Sequence, residues 1–105
     1  MEQSPRHRYF TYLLTNPSRT VLYTGVSNNI AQRLQQHRDD ASGPALTFAG
    51  KYNCIHLVWY EERQWINEAI AREKEIKGWR REKKDALVAT ANPEWKDLSA
   101  LIFGD

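Results

Sequence analysis

The sequence predicts an α+β domain, a small three-stranded β-sheet flanked by helices in the order β-β-α-β-α-α-α, on three observations. Two runs rich in aromatic and branched side chains are separated by turn formers near the N-terminus. A third such run lies mid-chain, and the segments after the second and third runs place apolar residues at helical spacing. With 105 residues, 41% of them hydrophobic, the chain can bury one core, so 1–105 is expected to be a single domain with its core at about 9–98.

The elements follow in order. Residues 9–15, YFTYLLT, and 21–26, VLYTGV, flank NPSRT and should form a hairpin. Alternation puts Phe10, Tyr12 and Leu14 on one face of the first strand and Tyr9, Thr11 and Leu13 on the other, with Val21 and Tyr23 sharing a face of the second. In SNNIAQRLQQHRD, Ser27 and Asn28 read as caps and Ile30 and Leu34 as the apolar stripe of a first helix. Residues 39–51 read as a loop, and CIHLVWYEE supplies the third strand. A helix from Trp65 to about Trp79 and a basic helix from Arg80 to Ala91 come next. Asn92 and Pro93 suit an N-cap followed by proline at the first helical position, opening a short last helix through Leu98.

Composition excludes several classes of function. No run of eighteen apolar residues exists, and MEQSPRHRYF has charges where a secretory signal needs its apolar core, so a cytoplasmic protein without a membrane segment is expected. The single cysteine, Cys54, can form neither an intramolecular disulfide nor a zinc cluster. The net charge is only +2, but Arg72 to Lys84 holds seven bases (Arg72, Lys74, Lys77, Arg80, Arg81, Lys83, Lys84) against three acids (Glu73, Glu75, Glu82). Such a run either attracts a polyanion or is a solvated helix face.

Chemistry-bearing residues stand out against this background. In AIAREKEIKGW, a period of 100° per residue gathers Ile66, Ala69, Ile70 and Ile76 into one stripe with Glu73 at its centre. A carboxylate there must be paired, protonated or bound to a metal. Arg33 and His37, four residues apart, stack beside the Ile30 and Leu34 stripe. Tyr12 and Tyr23 can project to one side of the hairpin, each with a hydroxyl that needs a partner when buried. Together these are a phosphate binder, a proton carrier, a metal ligand and two hydroxyls, the parts that phosphodiester cleavage needs.

The ordered spacing of Phe10-Thr11-Tyr12, Tyr23-Thr24-Gly25, Arg33, His37 and Glu73 resembles the GIY-YIG endonuclease superfamily. LTNPSRTVLYTGV, KYNCIHLVWYEE, REKEIKGW and NPEWKDL are similar to its small stand-alone bacterial members. The resemblance implies that Glu73 is the sole protein ligand of a divalent cation, Mg²⁺ or Mn²⁺, and that Arg33 stabilises the scissile phosphate. It further implies that Tyr12 and Tyr23 position or activate water and phosphate, that His37 is a candidate general base, and that Asn92 matches a polar residue near the site in some members. Phe10 replaces the glycine of the first triplet, Thr24 the isoleucine of the second, and Val26 a lysine found in the repair incision subunits.

The expected function is therefore metal-dependent endonucleolytic hydrolysis of DNA, structure-selective cleavage in repair or processing being one form of it. Tyr12, Tyr23, Arg33, His37 and Glu73 would be catalytic, and Lys74, Lys77, Arg80, Arg81, Lys83 and Lys84 would contact nucleic acid. DNA is the expected partner; the sequence indicates no membrane, protein partner or homodimer. The alternatives are a nucleic-acid-binding module that keeps the fold with little or no cleavage, and an interaction domain presenting its tryptophans in one exposed patch.

Overall fold

The computed structural model of the chain describes residues 8–43 and 51–104. Strands β1 (Tyr9–Thr15) and β2 (Leu22–Ser27) are followed by helix α1 (Ile30–Ser42), strand β3 (His56–Arg63), and helices α2 (Ile66–Lys77), α3 (Arg81–Ala91) and α4 (Ser99–Phe103). The sheet has the order β2-β1-β3 and is antiparallel throughout. No helix among the described residues is long and apolar enough to cross a membrane.

The hairpin closes on its own turn chemistry. Asn16 Oδ1 accepts from the backbone N–H of Thr20 at 2.8 Å and of Val21 at 3.0 Å, and its amide nitrogen donates to Thr20 Oγ1 at 2.8 Å. This asparagine substitutes for backbone partners through the bend, where Arg19 takes a positive φ of 60°. The turn sets a register pairing Tyr12 with Gly25 and Leu14 with Tyr23, so Phe10, Tyr12, Leu14 and Tyr23 share a face as alternation requires.

Because β1 is central and covered on both sides, Phe10 through Thr15 are all buried. One face packs Phe10, Tyr12, Leu14 and Leu57 against Ile30 and Leu34 of α1, with Ile102 and Phe103 of α4 alongside. The other gathers Leu13, Val58, Trp59, Ile76 of α2 and Val88 of α3. A register shift opposite Leu13 and Leu14 explains why neighbours Val58 and Trp59 serve the same cluster: the ladder runs from Trp59 to Leu57, leaving Val58 as the extra residue of a bulge. Thr11 Oγ1, fully buried, donates to the Ala69 carbonyl at 2.8 Å and fixes α2 onto β1.

Several expected details differ. The cap of α1 is Asn29, whose side chain accepts from Gln32 N, while Ser27 Oγ accepts from Asn29 N, so the chain enters the helix later than Ser27 and Asn28 suggested. The expected loop at 39–51 is occupied by α1 as far as Ser42, and 44–50 lie outside the described residues. Ile66 is 44% exposed at the start of α2, and the apolar stripe begins at Ala69. Asn92 does not open a last helix. It terminates α3, and its side-chain amide donates to the carbonyls of Val58 (3.0 Å) and Lys96 (2.8 Å) while its oxygen accepts from Lys96 N. The final helix starts only at Ser99, after Asp97 has bonded Leu57 N, Ser99 N and Ser99 Oγ. A side chain that ties three segments together outweighs the local preference for proline at a helix start.

The tryptophans are mostly committed to the interior. Trp59 is buried, Trp79 and Trp95 are half-buried, and only Trp65, 55% exposed, stands out. The Arg72 guanidinium lies over both Trp59 (5.9 Å) and Trp79 (5.3 Å), and the Lys83 ammonium covers Trp79 at 4.3 Å, which joins α2, β3 and α3 through alternating cations and rings. No single surface presents all four.

One close approach governs the geometry of the first face. A Cβ built on Gly25 would lie 2.5 Å from both Cζ and the hydroxyl of Tyr12, because the phenol ring crosses directly over the backbone of β2. Tyr12 is 0% exposed, so the ring has no free direction of retreat. Replacing Gly25 by alanine should cost about 1–3 kcal/mol by overpacking. Denaturant unfolding should register the loss, and the NMR environment of the Tyr12 ring should change; wild-type stability with an unmoved ring would contradict the packing described. Asn92→Ala should cost a similar amount by leaving the groups at Val58 and Lys96 without partners, roughly 1–3 kcal/mol in the same unfolding measurement.

Candidate functional site

Four of the five expected catalytic residues lie on the α1 side of the sheet. Tyr12 comes from β1, Tyr23 from β2, and Arg33 and His37 from successive turns of α1. The Tyr12 hydroxyl and His37 Nε2 are 3.2 Å apart. The Tyr23 ring stands edge-on to His37 with centroids 5.3 Å apart, and 6.3 Å from Tyr12. Both tyrosines therefore converge on one imidazole. Gly25, which the sequence offered only as part of a triplet, is what allows this: any side chain there would push Tyr12 away from His37.

Electrostatics fix the resting protonation states. Burial raises the pKa of Tyr12, Tyr23 adds to this, Arg33 opposes it and Glu73 reinforces it, so the hydroxyl is a neutral phenol at physiological pH. His37 is 4% exposed. Desolvation lowers its pKa, Arg33 lowers it further and Asp40 partly compensates, which leaves a neutral imidazole. Its Nδ1 is buried without a hydrogen-bond partner among the described residues. Arg33 is half-buried, and among the described residues its guanidinium makes no hydrogen bond or ion pair. A guanidinium presented in this way beside a neutral tyrosine and a neutral histidine suits an anion supplied from outside.

Glu73 arrives from the opposite face. It belongs to α2, which packs across β1 and β2 on the far side of the sheet. Its charge nonetheless adds slightly to the raised pKa of the Tyr12 hydroxyl, in the sense opposite to Arg33. The two faces communicate around β2, the edge strand, and only that strand separates Tyr12 from the open edge. The Glu73 side chain is 15% exposed, and its Oε2 accepts from Lys77 Nζ at 2.8 Å. The inward carboxylate predicted from the helical period is thus present, and its immediate partner is the lysine one turn on. Beside it a cavity of about 300 Å³ is lined by Leu22, Tyr23, Thr24, Lys77 and Lys84.

A hard divalent cation fits this donor set. The Lys77 ammonium already occupies a cation's place at Glu73 Oε2. Among the described residues no three side chains of the His, Cys, Asp and Glu type cluster as a metal cage. A cation held by Glu73 would therefore draw its remaining ligands from water and substrate, a pattern normal for Mg²⁺.

The basic run divides into two groups. Lys74, Arg80 and Lys84 have no side-chain partner among the described residues. Lys77 is held by Glu73. Arg81 bonds Asp85 and the carbonyls of Arg19 and Thr20 and lies over Trp95, while Lys83 lies over Trp79. The contact of Arg81 with Asp85 follows from their i,i+4 spacing, whereas its reach to the hairpin turn has no sequence signal. Asn92, bonded to β3 and to the turn after α3, carries a structural function.

Comparison with known proteins identifies the family. The family model of the GIY-YIG catalytic domain matches residues 8–85. The UPF0213 protein DP2720 of Desulfotalea psychrophila is 32% identical over 101 residues, covering 96% of this chain and 86% of its own length. A UPF0213 protein of Staphylococcus aureus is 31% identical over 80 residues, 76% of this chain and 93% of the relative. The solution structure of the UPF0213 protein BH0048 from Bacillus halodurans superposes with a TM-score of 0.55 over 90% of this chain and 96% of that one, at 24% identity, and shares the fold. With the family model matching residues 8–85 and a relative 32% identical across nearly the entire chain, the chain belongs to the GIY-YIG catalytic-domain family of endonucleases.

Proposed function

We propose that the protein is a divalent-metal-dependent endonuclease that hydrolyses phosphodiester bonds in DNA. The observation that supports this most directly is the 3.2 Å contact of the Tyr12 hydroxyl with His37, with Arg33 and Glu73 both near enough for their charges to bear on that hydroxyl. A module that only binds needs positive charge; it has no use for a carboxylate aimed at the same point, which would repel phosphate.

Each residue then has a task. Arg33 binds the non-bridging oxygens of the scissile phosphate and stabilises the charge that grows on them. The Tyr12 hydroxyl positions the attacking water. As that water gives a proton to the phenol oxygen, the phenol proton passes to His37 Nε2, 3.2 Å away, so the pair accepts one proton without the phenol ionising. Tyr23 packs against the imidazole and keeps its ring oriented. Glu73 would hold the cation, which when bound supplies Lewis-acid polarisation of the phosphate and stabilisation of the leaving oxygen. Lys74, Arg80 and Lys84, whose cationic ends are uncommitted, are the first contacts for the rest of the DNA backbone; Arg81 and Lys83 contribute chiefly by field, since their side chains are already engaged.

Supercoiled, branched and single-stranded DNA incubated with Mg²⁺ or Mn²⁺ provides the direct test. Glu73→Gln and Arg33→Ala should each lower the cleavage rate by about 10²–10³ while leaving the circular dichroism spectrum unchanged. Wild-type turnover by Glu73→Gln in a nuclease-free preparation would reject the assignment.

The pH dependence has a defined sign. His37 has a folded pKa below its ordinary value of 6.5. Between the two values the unfolded chain binds a proton that the folded chain does not, so stability rises with pH in that window and is lost as pH falls below about 6.5. Asp97 behaves alike in a lower window: its burial raises the pKa, but hydrogen bonds from Ser99, His56 and Leu57 outweigh this and hold it below 3.8. Its contribution is lost only as pH falls through that depressed value. Thermal unfolding of wild type and His37→Gln from pH 7.5 to 5 should therefore show the steeper decline in wild type. Cleavage by wild type should persist below the ordinary histidine range, and parallel stability curves would contradict a buried neutral His37.

A further inference from the structure

The Lys77 side chain touches two features of the β2 edge. Its ammonium lies 2.8 Å from Glu73 Oε2, while its side chain, 54% exposed, also walls the cavity beside β2. Leu22, Tyr23 and Thr24 are consecutive, so their side chains alternate between the faces of the sheet, yet all three line that cavity. The cavity must therefore lie against the open edge of the strand. It is bounded by two ammonium groups, Lys77 and Lys84, and by no acid. Tyr23 both lines it and stands with its ring 5.3 Å from the His37 imidazole.

Phosphates repeat along a nucleic-acid strand, so a strand seated with one phosphate on Arg33 must lay a neighbouring one close by. Two cations in contact with one carboxylate oxygen repel strongly in a partly desolvated site. A divalent ion at Glu73 Oε2 and the Lys77 ammonium at 2.8 Å therefore compete for that oxygen.

We propose that the cavity at the β2 edge is a second phosphate subsite for the cleaved strand, and that Lys77 moves into it from Glu73 when a divalent cation takes the carboxylate. The inference rests on reading Glu73 as the metal ligand. In the free protein the ion pair neutralises Glu73 and ties the Lys77 ammonium to the carboxylate at the cavity wall. Metal releases the lysine for phosphate, and phosphate draws it off the carboxylate, so each ligand favours the other by the same factor. The movement needs only the rotamers of one long exposed side chain, which interconvert in picoseconds to nanoseconds.

The experiment measures Mn²⁺ dissociation constants for wild type, Lys77→Met and Glu73→Gln, each with and without an uncleavable phosphorothioate duplex. Lys77→Met should bind Mn²⁺ roughly two- to five-fold more tightly in the free protein, where the competing ion pair is gone. It should bind no more tightly in the DNA complex, so the factor by which DNA strengthens Mn²⁺ binding falls. Lys84→Met should weaken DNA binding with and without Mn²⁺, and leave the Mn²⁺ affinity of the free protein within about two-fold. An equal gain for Lys77→Met in free and DNA-bound protein would mean simple loss of a positive charge, and no gain in either would mean an inconsequential surface pair. Either result overturns the exchange while leaving Glu73 as the metal ligand, provided Glu73→Gln abolishes binding. If Glu73→Gln binds Mn²⁺ as wild type does, the metal assignment fails and the exchange fails with it.

Discussion

The passage of the Tyr12 ring over Gly25 is the constraint on which the site depends. A buried phenol in a central strand would ordinarily be confined between its neighbours. Here the missing side chain on the adjacent edge strand lets it extend sideways until its hydroxyl meets His37 at 3.2 Å. The packing of α1 through Ile30 and Leu34 sets the position of that imidazole, and the turn built on Asn16 sets the register that brings Gly25 opposite Tyr12. Hairpin, helix and site are thus one set of dependencies: a slip of one residue in β2 would put a side chain under the ring and turn Tyr23 to the other face.

The second group of dependencies lies on the far side of the sheet. Thr11 fixes α2 to β1, and Ile76 anchors the end of the same helix in the core. Glu73 is held between these two points, so its direction is a property of helix packing and needs no loop. The ring and cation stack of Trp59, Arg72, Trp79 and Lys83 then joins α2 to α3. The rigid parts of the molecule are those that aim Glu73, and the freely exposed cations are those that would meet a ligand of variable shape.

The three strands and the helices at Ile30–Ser42, Ile66–Lys77 and Arg81–Ala91 were legible because the hydrophobic pattern changes from period 2 to period 3.6 and back, whereas the last helix was placed too early. The spacing of Tyr12, Tyr23, Arg33, His37 and Glu73 was legible as a resemblance. What escaped reading depends on contacts distant in sequence. Asn92 and Pro93 look like a helix start, and only the reach of Asn92 to Val58 across 34 residues turns them into a stop. Ile66 fits the helical stripe by angle but lies one turn before the helix meets the sheet. Arg81 and Lys83 looked equivalent to Lys84 as exposed bases, and their engagement with the hairpin turn and with Trp79 required the tertiary structure.

The open edge of β2, with the cavity beside it, has a consequence for assembly. An unpaired strand edge is the part of a small sheet most prone to recruit a strand from another molecule. Here two lysines stand beside that edge, and their charge discourages a neighbouring chain from hydrogen-bonding there. A partner that nevertheless extended the sheet past β2 would cover the cavity and the approach to Tyr23. On the proposed reading, growth of the sheet through β2 and access of a ligand exclude one another, whereas lengthening at the opposite edge, β3, leaves the cavity open.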